Sequence, residues 1–146
     1  MCSYGDVFDM GDDSKFFIDL AGARRIWAVG AIRGEARRLT ELHKELNNKI
    51  LPGDRLVYLG NFLGVGSDVG GTISELLRFR RELLSRLNLC YSSIIYLRGA
   101  QEEMWRRFLE LQFAPNPGEV LDWMLGQGVA ATLLSYDRDP EIARRV

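Results

Sequence analysis

The chain is predicted to be an α/β protein with a mainly parallel sheet and flanking helices. Three short apolar runs, at 26–29, 56–59 and 94–97, alternate with segments whose apolar residues recur at helical spacing. This alternation is typical of βαβ units, in which a helix returns the chain to the start of the next parallel strand. A Pro-Gly-Asp turn at 52–54 leads into the second run and marks where that strand begins.

The segments between and after the strands are predicted to be helices. The first is expected at 35–48, and the second opens with Thr72 and Glu75, which have the spacing of a capping box. A methionine and aromatic stripe at 104–108 has the period of a buried helix face, which favours core packing or partner binding over a cofactor site. The last helix is expected at 119–125, where two glycines end it.

Length and composition indicate one soluble globular domain. The chain has 146 residues, and its formal net charge of -1 provides no overall attraction for nucleic acid. Its arginine clusters lie among glutamates on predicted helices, which favours solvated helix faces. We expect an acidic, partly flexible lead-in at 1–23 and a single domain at 24–146.

The protein is expected to be cytoplasmic, with no membrane association. No apolar stretch approaches transmembrane length, and the N-terminus lacks a basic region followed by an apolar run. Cys2 and Cys90 lack the spacing of a metal or redox motif, which favours a reducing compartment.

Each predicted strand ends in a glycine-containing loop that leads towards a helix. These segments are named loop 1 (30–34), loop 2 (60–66) and loop 3 (98–102). Their sequences are Gly-Ala-Ile-Arg-Gly, Gly-Asn-Phe-Leu-Gly-Val-Gly and Arg-Gly-Ala-Gln-Glu. Ligands bind at the carboxyl ends of strands in open α/β sheets, so the loops mark the candidate site. Glycine there can also serve only to permit a tight turn.

The order, spacing and flanks of the loops resemble those of calcineurin-like metallophosphoesterases of the serine/threonine protein phosphatase type. That family has the motifs Gly-Asp-x-His-Gly, Gly-Asp-x-x-Asp-Arg-Gly and Gly-Asn-His-Glu in this order. The runs at 51–60 and 94–99 resemble its approaches to the second and third motifs, and 128–136 resembles a stretch of bacterial members. The resemblance covers residues 24–136. It implies part of a four-layer α/β/β/α sandwich and a site for two divalent metals such as manganese, iron or zinc.

Almost all the residues that would bind metal in this family are replaced. Ala31 and Arg33 stand where the first motif has aspartate and histidine, and Asn61 stands where the second has a bridging aspartate. Ala100 and Gln101 replace the asparagine and histidine of the third. The vestigial motif positions are Gly30, Ala31, Arg33, Gly34, Gly60, Asn61, Gly64, Val65, Gly66, Gly99, Ala100, Gln101 and Glu102.

These replacements predict a protein without catalytic metal or catalytic residues. Two-metal hydrolysis needs carboxylate and imidazole ligands that hold the ions and generate a metal-bound hydroxide. Alanine has no donor atom, and a guanidinium stays protonated and cannot ligate a cation. His43 is the only histidine and is expected mid-helix, at the surface or half-buried. We therefore expect a pseudophosphatase that acts as a binding, scaffold or regulatory module, with no cofactor.

Two interpretations of the emptied site stay open. Arg33, Arg98 and Asn61, with backbone N–H groups of the glycine loops, could bind a phosphate-bearing ligand without metal, because arginine pairs bidentately with phosphate. Alternatively, Arg33 fills the pocket and pairs with Glu35 or Glu102.

The alternative function is a metal-dependent phosphoesterase with an altered site. Its single metal would be held by Asp54, Asp68 or Glu102. The resemblance also implies a second sheet that would follow the present chain. Without that sheet, apolar surface would be uncovered, and a protein partner or a homodimer is expected to cover it.

Overall fold

The computed structural model describes residues 18–87 and 89–136 of the chain. Most of the expected lead-in, at 1–17, and the end of the expected domain, at 137–146, lie outside this part. The strands are β1 (Ile26–Val29), β2 (Arg55–Tyr58) and β3 (Ile94–Tyr96), and the helices are α1 (Ala36–Lys49), α2 (Val69–Leu87), α3 (Ala100–Leu109), α4 (Pro117–Met124) and α5 (Ala130–Ser135).

The three strands form one parallel sheet in the order β1-β2-β3. The register places Trp27 beside Leu56, and Leu56 beside Ile94. Alternate residues of a strand share a face, so these three side chains lie on one side of the sheet. The residues two positions further along each strand, Val29, Tyr58 and Tyr96, lie on the same side. The prediction of an α/β fold with a parallel sheet and flanking helices is confirmed.

α1 and α2 pack side by side on this face of the sheet. The core between helices and sheet contains Leu39 and Leu46 of α1 with Leu76, Phe79 and Leu83 of α2, all buried. Full burial of a side chain of this size contributes about 1.5–3 kcal/mol. Both helices lie on one face because crossovers between successive parallel strands are right-handed.

A polar network crosses this core and overturns the surface or half-buried position expected for His43. The imidazole is fully buried and stacks on Phe79, with the ring centroids 3.9 Å apart. Its Nδ1 lies 2.7 Å from Oε1 of Glu75, and its Nε2 lies 2.8 Å from the hydroxyl of Tyr58. The prediction was wrong because the helix position alone does not show that two distant segments supply partners for both ring nitrogens.

The protonation states determine which group donates each hydrogen bond in this network. Burial raises the pKa of Tyr58, so its hydroxyl stays protonated and donates to Nε2 of His43. Hydrogen bonds from Arg78 are the main cause that lowers the pKa of Glu75, which is therefore a carboxylate. Burial lowers the pKa of His43, so the ring is neutral at pH 7. Its single N–H accordingly lies on Nδ1 and donates to Glu75.

The start of α2 also differs from the prediction. The helix begins at Val69, and Oδ1 of Asp68 accepts a hydrogen bond of 2.7 Å from the N–H of Gly71. Thr72 lies in the first turn, where its hydroxyl donates to the carbonyl of Asp68. The capping box was a wrong interpretation, because Glu75 points into the core rather than back to the helix start.

The chain after β3 forms a second helical cluster with its own core. Leu121, Met124 and Val129 are buried there, and the stripe at 104–108 packs against them. The chain does not end its helical path at the glycines as predicted. It kinks at Gly128, where φ is +117°, and continues into α5. Val129 follows the kink and is buried in the same core, which holds this conformation in place.

The other face of the sheet exposes apolar side chains. Ile26, Leu59 and Leu97 are each about half exposed. By alternation along the strands they lie on the side opposite the α1 and α2 core. Val57 and Ile95 lie on the same side and are buried, so the exposed apolar surface is confined to the ends of the strands.

Two observations bear on the expected location of the protein. The described part of the chain contains no helix with the length and apolar character needed to span a membrane. Cys90 is half-buried and is not a free thiol, so the cysteines do not support the reducing compartment inferred from their spacing. The cytoplasmic location stays a prediction.

Replacing His43 with leucine is expected to lower the free energy of unfolding by about 2–3 kcal/mol, because the buried Tyr58 hydroxyl loses its acceptor and Glu75 loses a charge-assisted bond. Urea denaturation followed by circular dichroism measures this value. Lys44→Leu, at the neighbouring exposed position of α1, is the control and should change it by less than about 0.5 kcal/mol. Equal effects of the two changes would show that the network adds no stability.

Candidate functional site

Loops 1 and 2 are joined at the carboxyl edge of the sheet. The backbone carbonyl of Asn61 accepts hydrogen bonds from the N–H groups of Ile32 (3.1 Å) and Arg33 (2.8 Å). The N–H of Gly34 donates to the carbonyl of Phe62 (2.9 Å). The ends of two parallel strands thereby bring the positions of the first two motifs side by side, in the part of the fold where α/β proteins bind ligands.

The carboxylate of Glu102 joins loop 3 to loop 2. Its Oε2 accepts hydrogen bonds from the backbone N–H groups of Asn61 (2.7 Å) and Gly99 (2.9 Å). Its Oε1 accepts from those of Phe62 (2.8 Å) and Leu63 (3.2 Å). Converging backbone N–H groups form a nest that binds anions. The anion in this nest is a side chain of the same protein, so these donors are not free to bind an external phosphate.

Asn61 is the residue through which all three loops contact one another. Its backbone has φ of +57°, a left-handed conformation that asparagine adopts more readily than most residues with a side chain. Its carbonyl binds loop 1, its N–H binds Glu102, and its Oδ1 accepts the N–H of Gln101 (3.0 Å). The position expected to have bridged two metals in the family thus holds the loops together.

Glycines are required where the loops touch. A Cβ atom on Gly60 would lie closer than 3.0 Å to the backbone of Gly99, and one on Gly99 would lie that close to Asn61. Gly66 approaches the backbone of Gly34 in the same way. Atoms this close must shift, so packing between the loops explains these glycines without any ligand.

The helices after loop 3 enclose the site from the other side. Oγ1 of Thr132 accepts the N–H of Gly64 (3.3 Å), and the side-chain amide of Gln101 donates to the carbonyl of Gln127 (2.9 Å). Oγ of Ser135 accepts a backbone N–H in the first turn of α2 (2.7 Å). Sequence reasoning missed both hydroxyls, because isolated hydroxyls on a helix form no recognisable motif.

The two arginines proposed as anion contacts lie in different surroundings. Arg33 is exposed, and its side chain forms no hydrogen bond or ion pair with any residue in the described ranges. It therefore pairs with neither Glu35 nor Glu102. Arg98 is also exposed and forms an ion pair of 3.5 Å with Glu103. Arg33 is thus a cation of the candidate site that no described residue pairs with.

The residues at the motif positions do not fit a pair of metal ions. Asn61 uses Oδ1 to accept a backbone N–H, and Glu102 occupies the nest. Throughout residues 18–87 and 89–136, no three His, Cys, Asp or Glu side chains are grouped so that they could hold a metal ion. Four motif positions are exposed and offer no polar side-chain atom: Gly30, Ala31, Val65 and Ala100.

The three carboxylates considered for a single metal are engaged in separate places. Asp54 is buried at the amino end of β2, where Arg25 donates to both of its oxygens and Trp27 donates to Oδ2. Burial alone would raise the pKa of Asp54, but the hydrogen bonds from Arg25 and Trp27 outweigh it and lower the pKa to about 2. Asp68 caps α2, and Glu102 fills the nest. These side chains do not converge on one site.

Comparisons with known proteins do not name a relative. No protein-family model, curated protein or solved structure matches the chain significantly. The loops and their geometry are therefore the basis for inferring a function.

Replacing Glu102 with glutamine is expected to lower the free energy of unfolding by about 2 kcal/mol, because the amide group turns N–H donors towards the N–H donors of the nest. Urea denaturation measures the change. Glu110→Gln, at an exposed glutamate just after α3, is the control and should have little effect.

Glu102→Ala provides a second readout of the same nest. Because this variant vacates the nest, added formate should raise its stability more than that of the wild-type protein. A loss of stability without such rescue would assign Glu102 to packing rather than to anion binding.

Proposed function

We propose that this chain is a non-catalytic phosphatase-like protein, a pseudophosphatase that acts as a binding, scaffold or regulatory module. The observation that supports this proposal best is the carboxylate of Glu102 in the nest of loop 2. A site for phosphoester hydrolysis keeps its donors available for the substrate. Here the backbone N–H donors hold the loops together, so this part of the fold has a structural role.

The hydrogen bonds that occupy His43 and Glu102 support the same proposal. His43 lies within the α1 and α2 core, with both ring nitrogens bonded to protein groups. Among the described residues at the loop junction, Glu102 is bonded by backbone N–H groups and Arg33 is a cation. Neither can activate water for attack on phosphorus.

The proposal also includes the four-layer sandwich fold that the resemblance implies. The three-stranded sheet, with α1 and α2 on one face, would be the front part of a four-layer α/β/β/α sandwich. Ile26, Leu59 and Leu97 are half exposed at the strand ends on the opposite face, which supports this arrangement because a second sheet packs against such side chains. A partner protein is then expected to cover this face.

The purified protein is expected to hydrolyse para-nitrophenyl phosphate no faster than buffer, with or without added manganese, because no residue set at the loops fits the metal pair. Absorbance of the released nitrophenolate gives the rate, and elemental analysis of the dialysed protein gives the metal content. Saturable turnover that is proportional to protein, lost with chelator and matched by stoichiometric metal would overturn the proposal.

Binding of a phosphate-bearing ligand is the second candidate function, and Arg33 favours it because its exposed side chain pairs with no described residue. We expect only weak binding, because the guanidinium would act without the nest. Titration calorimetry with phosphate should show binding that Arg33→Ala removes and that the control Arg37→Ala, at an exposed position of α1, retains. Indistinguishable isotherms for wild type and Arg33→Ala would contradict this candidate.

A further inference from the structure

A broad apolar groove lies between α3 and α4. Its volume is about 980 Å³, and its lining includes Met104, Leu111, Val120 and Met124. We name it the α3–α4 groove. It is built by the second helical cluster, and Ala100 is the position of the three loops that belongs to its lining. The proposed function therefore does not account for it.

Two aromatic side chains of this groove extend into solvent. Phe113 is 78% exposed and Trp123 is 58% exposed, and both belong to the lining. Aromatic side chains each bury about 150–250 Å² when they are covered, so they dominate the energetics of interfaces. Apolar surface concentrated in this way marks a place where another molecule binds.

The groove also carries opposite charges that are incompletely paired. Glu119, near the start of α4, forms no hydrogen bond or ion pair with any residue described in the structure. Arg107 on α3 bonds Glu103 through Nε at 3.4 Å, and its two terminal amino groups form no hydrogen bond or ion pair with described residues. A cation and a carboxylate with spare bonding capacity therefore line the same apolar groove.

We propose that the α3–α4 groove is the interface of a homodimer. A two-fold interface uses the same patch on both subunits, so the patch must complement itself. This groove supplies both halves of each contact: exposed aromatics with an apolar cleft, and the unused N–H donors of Arg107 with the carboxylate of Glu119, which pairs with no described residue. Phe113 and Trp123 of each protomer enter the groove of the other, and Arg107 of each pairs with Glu119 of the other.

The overall charge of the chain permits this assembly. Each copy has a formal net charge of only -1, so two copies repel each other weakly. The inference goes beyond the proposed function and does not depend on it, because an active and an inactive protein could both dimerise through this groove.

Sedimentation velocity of the full chain over a series of concentrations tests the proposal. A reversible monomer–dimer equilibrium is expected. Arg107→Glu and Glu119→Arg should each raise the dissociation constant at least about tenfold, because each places like charges opposite one another. The double variant should restore association to within about threefold of wild type, since the reversed pair is again complementary.

Arg37→Glu is the matched control. Arg37 bonds Glu41 on α1 through Nε at the same 3.4 Å distance, and it lies outside the groove. It should leave the dissociation constant unchanged. Phe113→Ser provides an independent variant, since so exposed a side chain adds little to the fold, and it should also weaken the dimer about tenfold or more.

A protein that stays monomeric at every concentration would overturn the inference. A dimer that none of the groove variants weakens would overturn it as well, because association would then use another surface, such as the face of the sheet opposite α1 and α2. Failure of the double variant to restore association would refute the pairing of Arg107 with Glu119. The phosphatase assay bears on the proposed function alone, so the two proposals can fail separately.

Discussion

The backbone N–H groups that converge in loop 2 must find an acceptor, since buried donors without partners are costly. The carboxylate of Glu102 satisfies this requirement and connects loop 3 with loop 2. The other features of the strand-end loops follow from it. Asn61 takes up a left-handed conformation to present its N–H to this carboxylate, and Gly99 leaves room for the contact.

Much of the fold could be predicted from the sequence because it depends on apolar periodicity. Each of the three strands was located within one residue of its observed bounds, since a strand in a parallel sheet is a short apolar run between turns. The errors occurred where a polar residue has a partner far along the chain. Glu75 was interpreted as a cap and His43 as a surface or half-buried residue, although the two bond each other across α1 and α2.

The candidate site was predictable in its position but not in its contacts. Glycine loops after strands indicated the carboxyl edge of the sheet, where the structure brings the loops together. The sequence motif retained Glu102 but did not show that its carboxylate would bind loop 2. Arg33 was expected either to bind an anion or to pair with a nearby glutamate, and the structure shows no such pair. Residue types indicate what chemistry is available, whereas partners depend on backbone geometry.

The chain of hydrogen bonds from Tyr58 through His43 to Glu75 has a consequence for how α1 and α2 align. Leucines on two helices can interlock in several alignments that differ by one turn, or about 5.4 Å along the axis. A slip of that size would separate the imidazole from both of its partners and strand polar groups in the core. The network therefore disfavours alignments that apolar packing alone would accept.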